Sequence, residues 1–184
     1  MDDYRLIRGS RILQQLDEDS TAMQLRQNIV TSFPHTRKRQ NATNEVTVTN
    51  VQYIPYLGTK MLHVKSTTRS NGNEYKQAVQ FMRTVYEAND GSANITFTAA
   101  DGQEYHIQPI QLTNHNVKVR CNCLDFYHRF ATWNFSDNSI VGRAPIPYQR
   151  KTTTRPEVNP DHVPGMCKHL LKLMDRMRSE GLIR

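Results

Sequence analysis

The sequence predicts an α+β fold: an N-terminal helical arm, an antiparallel β-rich unit, and a C-terminal loop and helix held by one shared set of side chains. Three observations predict it. Apolar residues recur at helical spacing before residue 32, alternate with polar ones from Asn44 to Arg120, and return to helical spacing after Pro164. Prolines at 145, 147, 156, 160 and 164 mark a stretch where neither period holds. All three cysteines fall in two tripeptides, Cys121-Asn122-Cys123 and Cys167-Lys168-His169. The expected regions are therefore 1–43 (helical arm and basic linker), 44–120 (β-rich unit) and 121–184 (loop and terminal helix).

The arm reads as helix over residues 4–31, with Leu6, Ile12, Leu13 and Leu16 on one face. Asp17 to Ser20 marks a break, and Asp19 or Ser20 is placed to cap a second segment through Met23, Gln27 and Val30. Phe33-Pro34 ends it, because proline keeps the residue before it out of the helical region. Arg37-Lys38-Arg39 follows in a polar linker, where a basic triplet is either solvated or set to touch phosphate.

From Val46 the period is two. Val46 and Val48 open a strand that Val51 to Tyr53 continues after a bulge. Gly58 breaks the run, and Met61 to Lys65 form the next strand. Ser70 to Asn73 is a turn. Tyr75, Val79, Phe81 and Val85 share a face, which favours strand over the short helix that Lys76-Gln77-Ala78 would allow. After a turn at Asn89 to Ser92, Ile95, Phe97 and Ala99 pair across a two-residue Asp101-Gly102 hairpin turn with Tyr105 and Ile107. Val117 and Val119 then alternate with Lys118 and Arg120, and the same phase carries into Cys121 and Cys123. Both thiols thus belong to the face of the two valines.

Leu124 to Phe130 reads as a helical turn within an aromatic cluster, Phe126, Tyr127, Phe130, Trp133 and Phe135. Such a cluster is a hydrophobic shell or, if exposed, a platform for stacked bases. Residues 137–165 read as a long basic loop carrying Arg143, Arg150, Lys151 and Arg155, candidate contacts to nucleic acid or a partner. Pro164-Gly165 starts the last helix, where Leu170, Met174 and Met177 repeat at i, i+4, i+7, until Gly181 ends it.

Composition limits the function. Apolar residues are 37% and mean hydropathy is −0.69. No stretch approaches the roughly 20 apolar residues that span a membrane, and Met1-Asp2-Asp3-Tyr4 does not open a signal peptide. Asn134-Phe135-Ser136 matches a glycosylation acceptor by chance if there is no secretory route. The net charge of +7 is uneven: residues 116–184 hold 12 basic and 6 acidic side chains, against 12 and 11 in residues 1–115. A basic half attracts nucleic acid or an acidic protein surface, or simply solubilises. No glycine-rich phosphate loop, G-x-S-x-G or H-E-x-x-H occurs, so no enzyme and no small-molecule substrate are expected.

An odd number of cysteines argues against a disulfide framework and for thiolates free to bind metal. Cys121, Cys123, Cys167 and His169 make a complete tetrahedral set, expected to hold zinc, with an iron–sulfur cluster as the alternative. His128 and His162 are spare candidates for the fourth position. Four protein donors leave no place for a reactive water, which marks a structural site. Residues two apart in regular helix point about 200° apart, so Cys-x-His belongs at a helix entrance. The gap of 43 residues between Cys123 and Cys167 is an entropic cost of closure that metal would offset.

This pattern, C-x-C and then C-x-H, resembles the SWIM-type zinc finger over roughly the last third of the chain. The resemblance implies C-x-C on a β-hairpin, C-x-H at a helix start, and a role in binding DNA or protein. The flanking text, Cys121 through Phe130 (CNCLDFYHRF) and Val158 through Leu171 (VNPDHVPGMCKHLL), resembles structural proteins of tailed bacteriophages. That implies a virion subunit of the neck, tail or baseplate, with other virion subunits as partners. The alternative is a cytoplasmic SWIM-type protein that binds nucleic acid.

Overall fold

A computed structural model describes residues 19–35, 45–87, 94–146, 149, 154 and 156–184. The arm before residue 19, the basic triplet at 37–39, the turn at 89–92 and the side chains of Arg150, Lys151 and Arg155 lie outside the described residues. The fold is α+β. Helix α1 (Ala22–Ser32) precedes strands β1 (Val46–Tyr56), β2 (Met61–Ser70), β3 (Asn73–Phe81), β4 (Tyr86–Glu87), β5 (Ile95–Thr98), β6 (Glu104–Ile107) and β7 (Val117–Cys121). Helices α2 (Leu124–Arg129), α3 (Ala131–Ser136) and α4 (Lys168–Ser179) follow. No described helix is long and apolar enough to cross a membrane.

One antiparallel sheet has the order β1-β2-β3-β7, and a second has β4-β6-β5. The expected bulge in β1 is a register shift between Val48 and Asn50. Pro55 is tolerated because β1 is an edge strand. β2 runs five residues past the expected Lys65, since Ser66 to Ser70 keep pairing with β3. At the tip of that hairpin, Asn71 (φ 50°) and Gly72 (φ 75°) are both left-handed, which matches the twist of the two strands.

Three further expectations are corrected here. The cap of α1 is Thr21, not Asp19 or Ser20: its hydroxyl accepts the Gln24 N–H (3.2 Å) while the Gln24 side chain accepts the Thr21 N–H (2.7 Å). β3 stops at Phe81, and Val85 is exposed instead of facing the core. There the buried Thr84 hydroxyl donates to the Phe81 carbonyl (3.1 Å) and its N–H to Lys60 (2.7 Å), which turns the chain into the other sheet. The β5–β6 turn is longer than two residues: Ala99 N–H donates to Gln103 (2.9 Å), leaving Ala100, Asp101 and a left-handed Gly102 (φ 81°) at the tip.

The inner face of the four-stranded sheet carries Leu62, Val64, Val79, Phe81, Val117 and Val119, all buried. Helix α4 packs across it through Leu170, Leu173, Met174 and Met177. Leu25, Ile29 and Phe33 of α1 and Phe126 and Phe130 join the same core, with Phe33 edge-on to Phe130 (centroids 6.0 Å). Two main-chain links tie the ends of this layer. Leu182 and Arg184 bond to Ile110 and Leu112, and Thr21 bridges Asn116.

Candidate metal centre

The β7 alternation holds as expected. Val117, Val119 and Cys121 are buried, and the extended chain keeps the phase so that Cys123 is buried too. Asn122 points the other way and fixes the knuckle to β3. Its N–H donates to the Lys76 carbonyl (3.1 Å), and its side-chain Oδ1 accepts the Lys76 N–H (2.8 Å). The side chain thereby replaces the backbone carbonyl that a continuing strand would have offered. Cys123 is the N-cap of α2, its sulfur accepting the Phe126 N–H at 3.3 Å.

Cys167 is the N-cap of α4 in extended conformation (φ −77°, ψ 169°), and His169 lies in the first turn. Cys-x-His therefore sits at a helix entrance, as its spacing requires. The helix begins at Lys168, three residues later than Pro164-Gly165 suggests. Gly165 explains the delay. It lies so close to Phe130 and Ile29 that a β-carbon there would come within 2.7 Å of the Phe130 ring. Its N–H donates to the buried Asn134 side chain (2.9 Å).

The fold brings together three sulfurs and one ring nitrogen, all within 4.8 Å of one another. His169 Nδ1 lies 3.8 Å from Cys121 Sγ and 3.9 Å from Cys167 Sγ. With zinc bonds of about 2.3 Å to sulfur and 2.0 Å to nitrogen, a tetrahedral set has donor–donor edges of roughly 3.5–3.8 Å. The two nitrogen–sulfur separations come close to those edges, no two donors are more than 4.8 Å apart, and all four residues are at least 96% buried.

The surroundings suit a cation. Cys121 is held down to about 4 by hydrogen bonds from the Cys123 and Cys167 thiols, against the opposing effect of burial. Burial pushes Cys167 far up, and its two sulfur neighbours push in the same direction. Cys121 is thus favoured as a thiolate and Cys167 as a thiol, a contrast that a divalent cation removes by deprotonating every sulfur it binds. Gln77 donates to Cys121 Sγ (3.7 Å), to the Thr68 hydroxyl (2.9 Å) and to the Tyr75 carbonyl (2.8 Å). The Tyr75 ring stacks on His169 (centroids 4.2 Å, planes 24° apart) and fixes the imidazole plane. His169 thus turns Nδ1 toward the sulfurs, while its Nε2 is buried with no hydrogen-bond partner among the described residues.

Other candidates lie elsewhere. His162 stacks on Trp133 (4.1 Å) and meets Glu157 (3.3 Å), and His128 lies edge-on to Tyr127, so neither joins the cage. Asp125 pairs with the buried Arg129 at 3.0 Å. Arg143 is exposed, and its carbonyl accepts from Arg120. Phe126 and Phe130 are core residues, whereas Phe135 is exposed.

Sequence reasoning missed the residues that support the cage: Tyr75, Gln77, Asn122, Asn134 and Asn159. Asn159 holds the loop inward, donating to the carbonyls of Arg129 and Val163 (both 2.8 Å). Asn134 is fully buried, so its match to a glycosylation acceptor is fortuitous. The signal for Gln77 was its phase: it lies on the buried face between Tyr75 and Val79. Searches of family models, curated proteins and solved structures return no match for this chain. The centre therefore stands on its own geometry as a buried Cys3His group able to bind a metal ion.

Proposed function

We propose that the chain is a non-enzymatic, zinc-stapled structural subunit of a tailed-phage particle, in the neck, tail or baseplate. The single observation behind the staple is the buried cluster of four donors joining the end of β7 to the start of α4. Cys121, Cys123, Cys167 and His169 would hold the ion, which supplies cross-linking and no reactive water. The staple closes the loop that contains Arg143, Arg150, Lys151 and Arg155, and these cations meet neighbouring subunits. The resemblance of the text around both ligand pairs to phage structural proteins supports the virion assignment. Elemental analysis with an absorption spectrum tests the staple: one zinc per chain and a colourless protein are expected. A brown iron–sulfur spectrum, or no metal, rejects it.

A second reading, a cytoplasmic SWIM-type protein that binds nucleic acid, is favoured by the six excess positive charges after residue 115. Binding of the isolated chain to duplex DNA across a salt series separates the two. Weak binding is expected. Tight binding with a steep salt slope would overturn the subunit reading.

A further inference from the structure

We propose that the outer face of the four-stranded sheet is a docking groove for an extended acidic segment of a protein partner. The groove has a volume of about 630 Å³. Its floor follows from the register. Lys65, Ala78 and Arg120 stand side by side on β2, β3 and β7, so the small Ala78 leaves a depression between two cations. At the usual strand spacing the main chains that carry those two cations lie about 10 Å apart. Lys76 is two residues along β3 on the same face. Leu124 and Tyr127 of α2 wall one end, and Leu124 is 71% exposed.

The charge is one-sided. No aspartate or glutamate lines the groove. Glu74, on the same face of β3, is held by Arg69 at 2.9 Å. Lys65 and Lys76 are exposed and form no salt bridge among the described residues. Arg120 is fixed by the carbonyls of Val141 and Arg143, which aims its guanidinium without neutralising it.

The walls choose the partner. A nucleic-acid strand would use the cations but needs flat faces for its bases. Leu124 offers none, and Tyr127, half-buried and edge-on to His128, is the one aromatic ring lining the groove, so a strand could stack at most one base there. A peptide with carboxylates flanking one aliphatic side chain satisfies both features: the carboxylates meet Lys65, Lys76 and Arg120, and the aliphatic group covers Ala78 and Leu124. Asn50 and Gln52 supply amides to its main chain. This rests on the subunit reading only in taking the partner to be protein; the groove itself belongs to the sheet.

The test is fluorescence anisotropy with the full zinc-loaded chain and three labelled probes. They are a glutamate peptide with a central leucine, an all-glutamate peptide of equal length, and oligothymidylate of equal charge. The leucine peptide is expected to bind about tenfold more tightly than the all-glutamate one, as burying one leucine allows. Lys65→Glu with Lys76→Glu should weaken it at least about tenfold, and Leu124→Ser should abolish the preference for leucine. Lys60→Glu, outside the groove, should change nothing. Each variant is compared only with a wild-type circular dichroism spectrum and full zinc content, and Lys65→Gln with Lys76→Gln replaces the charge reversal if it misfolds. Peptide binding that is unaffected by these changes, or absent while oligothymidylate is also silent, overturns the groove alone. Tight oligothymidylate binding that survives the lysine changes, with no peptide binding, overturns both the groove and the subunit reading.

Discussion

At the residue scale, the centre depends on side chains that are not ligands. Asn122 replaces one rung of the sheet ladder with its own amide. Asn122→Ala should cost about 1 kcal/mol and weaken metal binding at the cage about tenfold, as losses around metal ligands do; competition with a chromogenic chelator measures it, and unchanged affinity would show that the knuckle holds itself. Gly165 has no room for a methyl group against Phe130, so Gly165→Ala should destabilise by about 1–3 kcal/mol in urea unfolding. A loss below that range would mean that the ring yields. His63, buried on the outer face beside Lys65, has its pKa lowered from 6.5, first by burial and then by that lysine. The unfolded chain therefore takes the proton first, so the ring's stabilising contribution is full above pH 6.5 and is lost as pH falls. An NMR titration should place its midpoint below 6.5, and Lys65→Gln should raise it. These details were hidden in the sequence because Asn122, Gln77 and Gly165 owe their roles to contacts across sequence gaps of tens of residues or more.

At the element scale, what could be read was what repeats. The valines of β7 announced the inward face that delivers Cys121 and Cys123, and Leu170, Met174 and Met177 announced the buried stripe of α4. The strand expected from Tyr75 to Val85 holds as far as Phe81, where β-branched and aromatic residues alternate, and fails beyond it. Element ends were harder, because tertiary hydrogen bonds set them: Thr84 ends the run after β3, and Ser66 to Ser70 prolong β2 by pairing. The exit of α4 is an exception that the sequence announced. Gly181 (φ 78°) lets its own N–H reach Arg178 (2.9 Å) and the Leu182 N–H reach Met177 (3.0 Å). Gly181→Ala should cost about 1–2 kcal/mol, seen as a lower Tm. An unchanged Tm would show that the exit tolerates another conformation.

At the scale of the whole molecule, the cage ties the sheet to the terminal helix, and the loop between has anchors of its own. Ile140 bridges Val119 beside β7, and Asn159 and Asn134 hold the returning chain. Removing any bound metal with a chelator, or Cys167→Ser, unties both ends of that loop, so residues 124–166 should become more accessible to protease despite those anchors, while the strands before residue 115 persist. Limited proteolysis read by mass spectrometry checks this, and equal cleavage in both halves would contradict it. The four donors also carry a timing. On a ribosome adding about 5–20 residues per second, Cys167 follows Cys123 by roughly 2–9 seconds. Until then the nascent chain offers only two of the four donors, so a metal ion held by all four would close the fold late, after the strands have had time to pair.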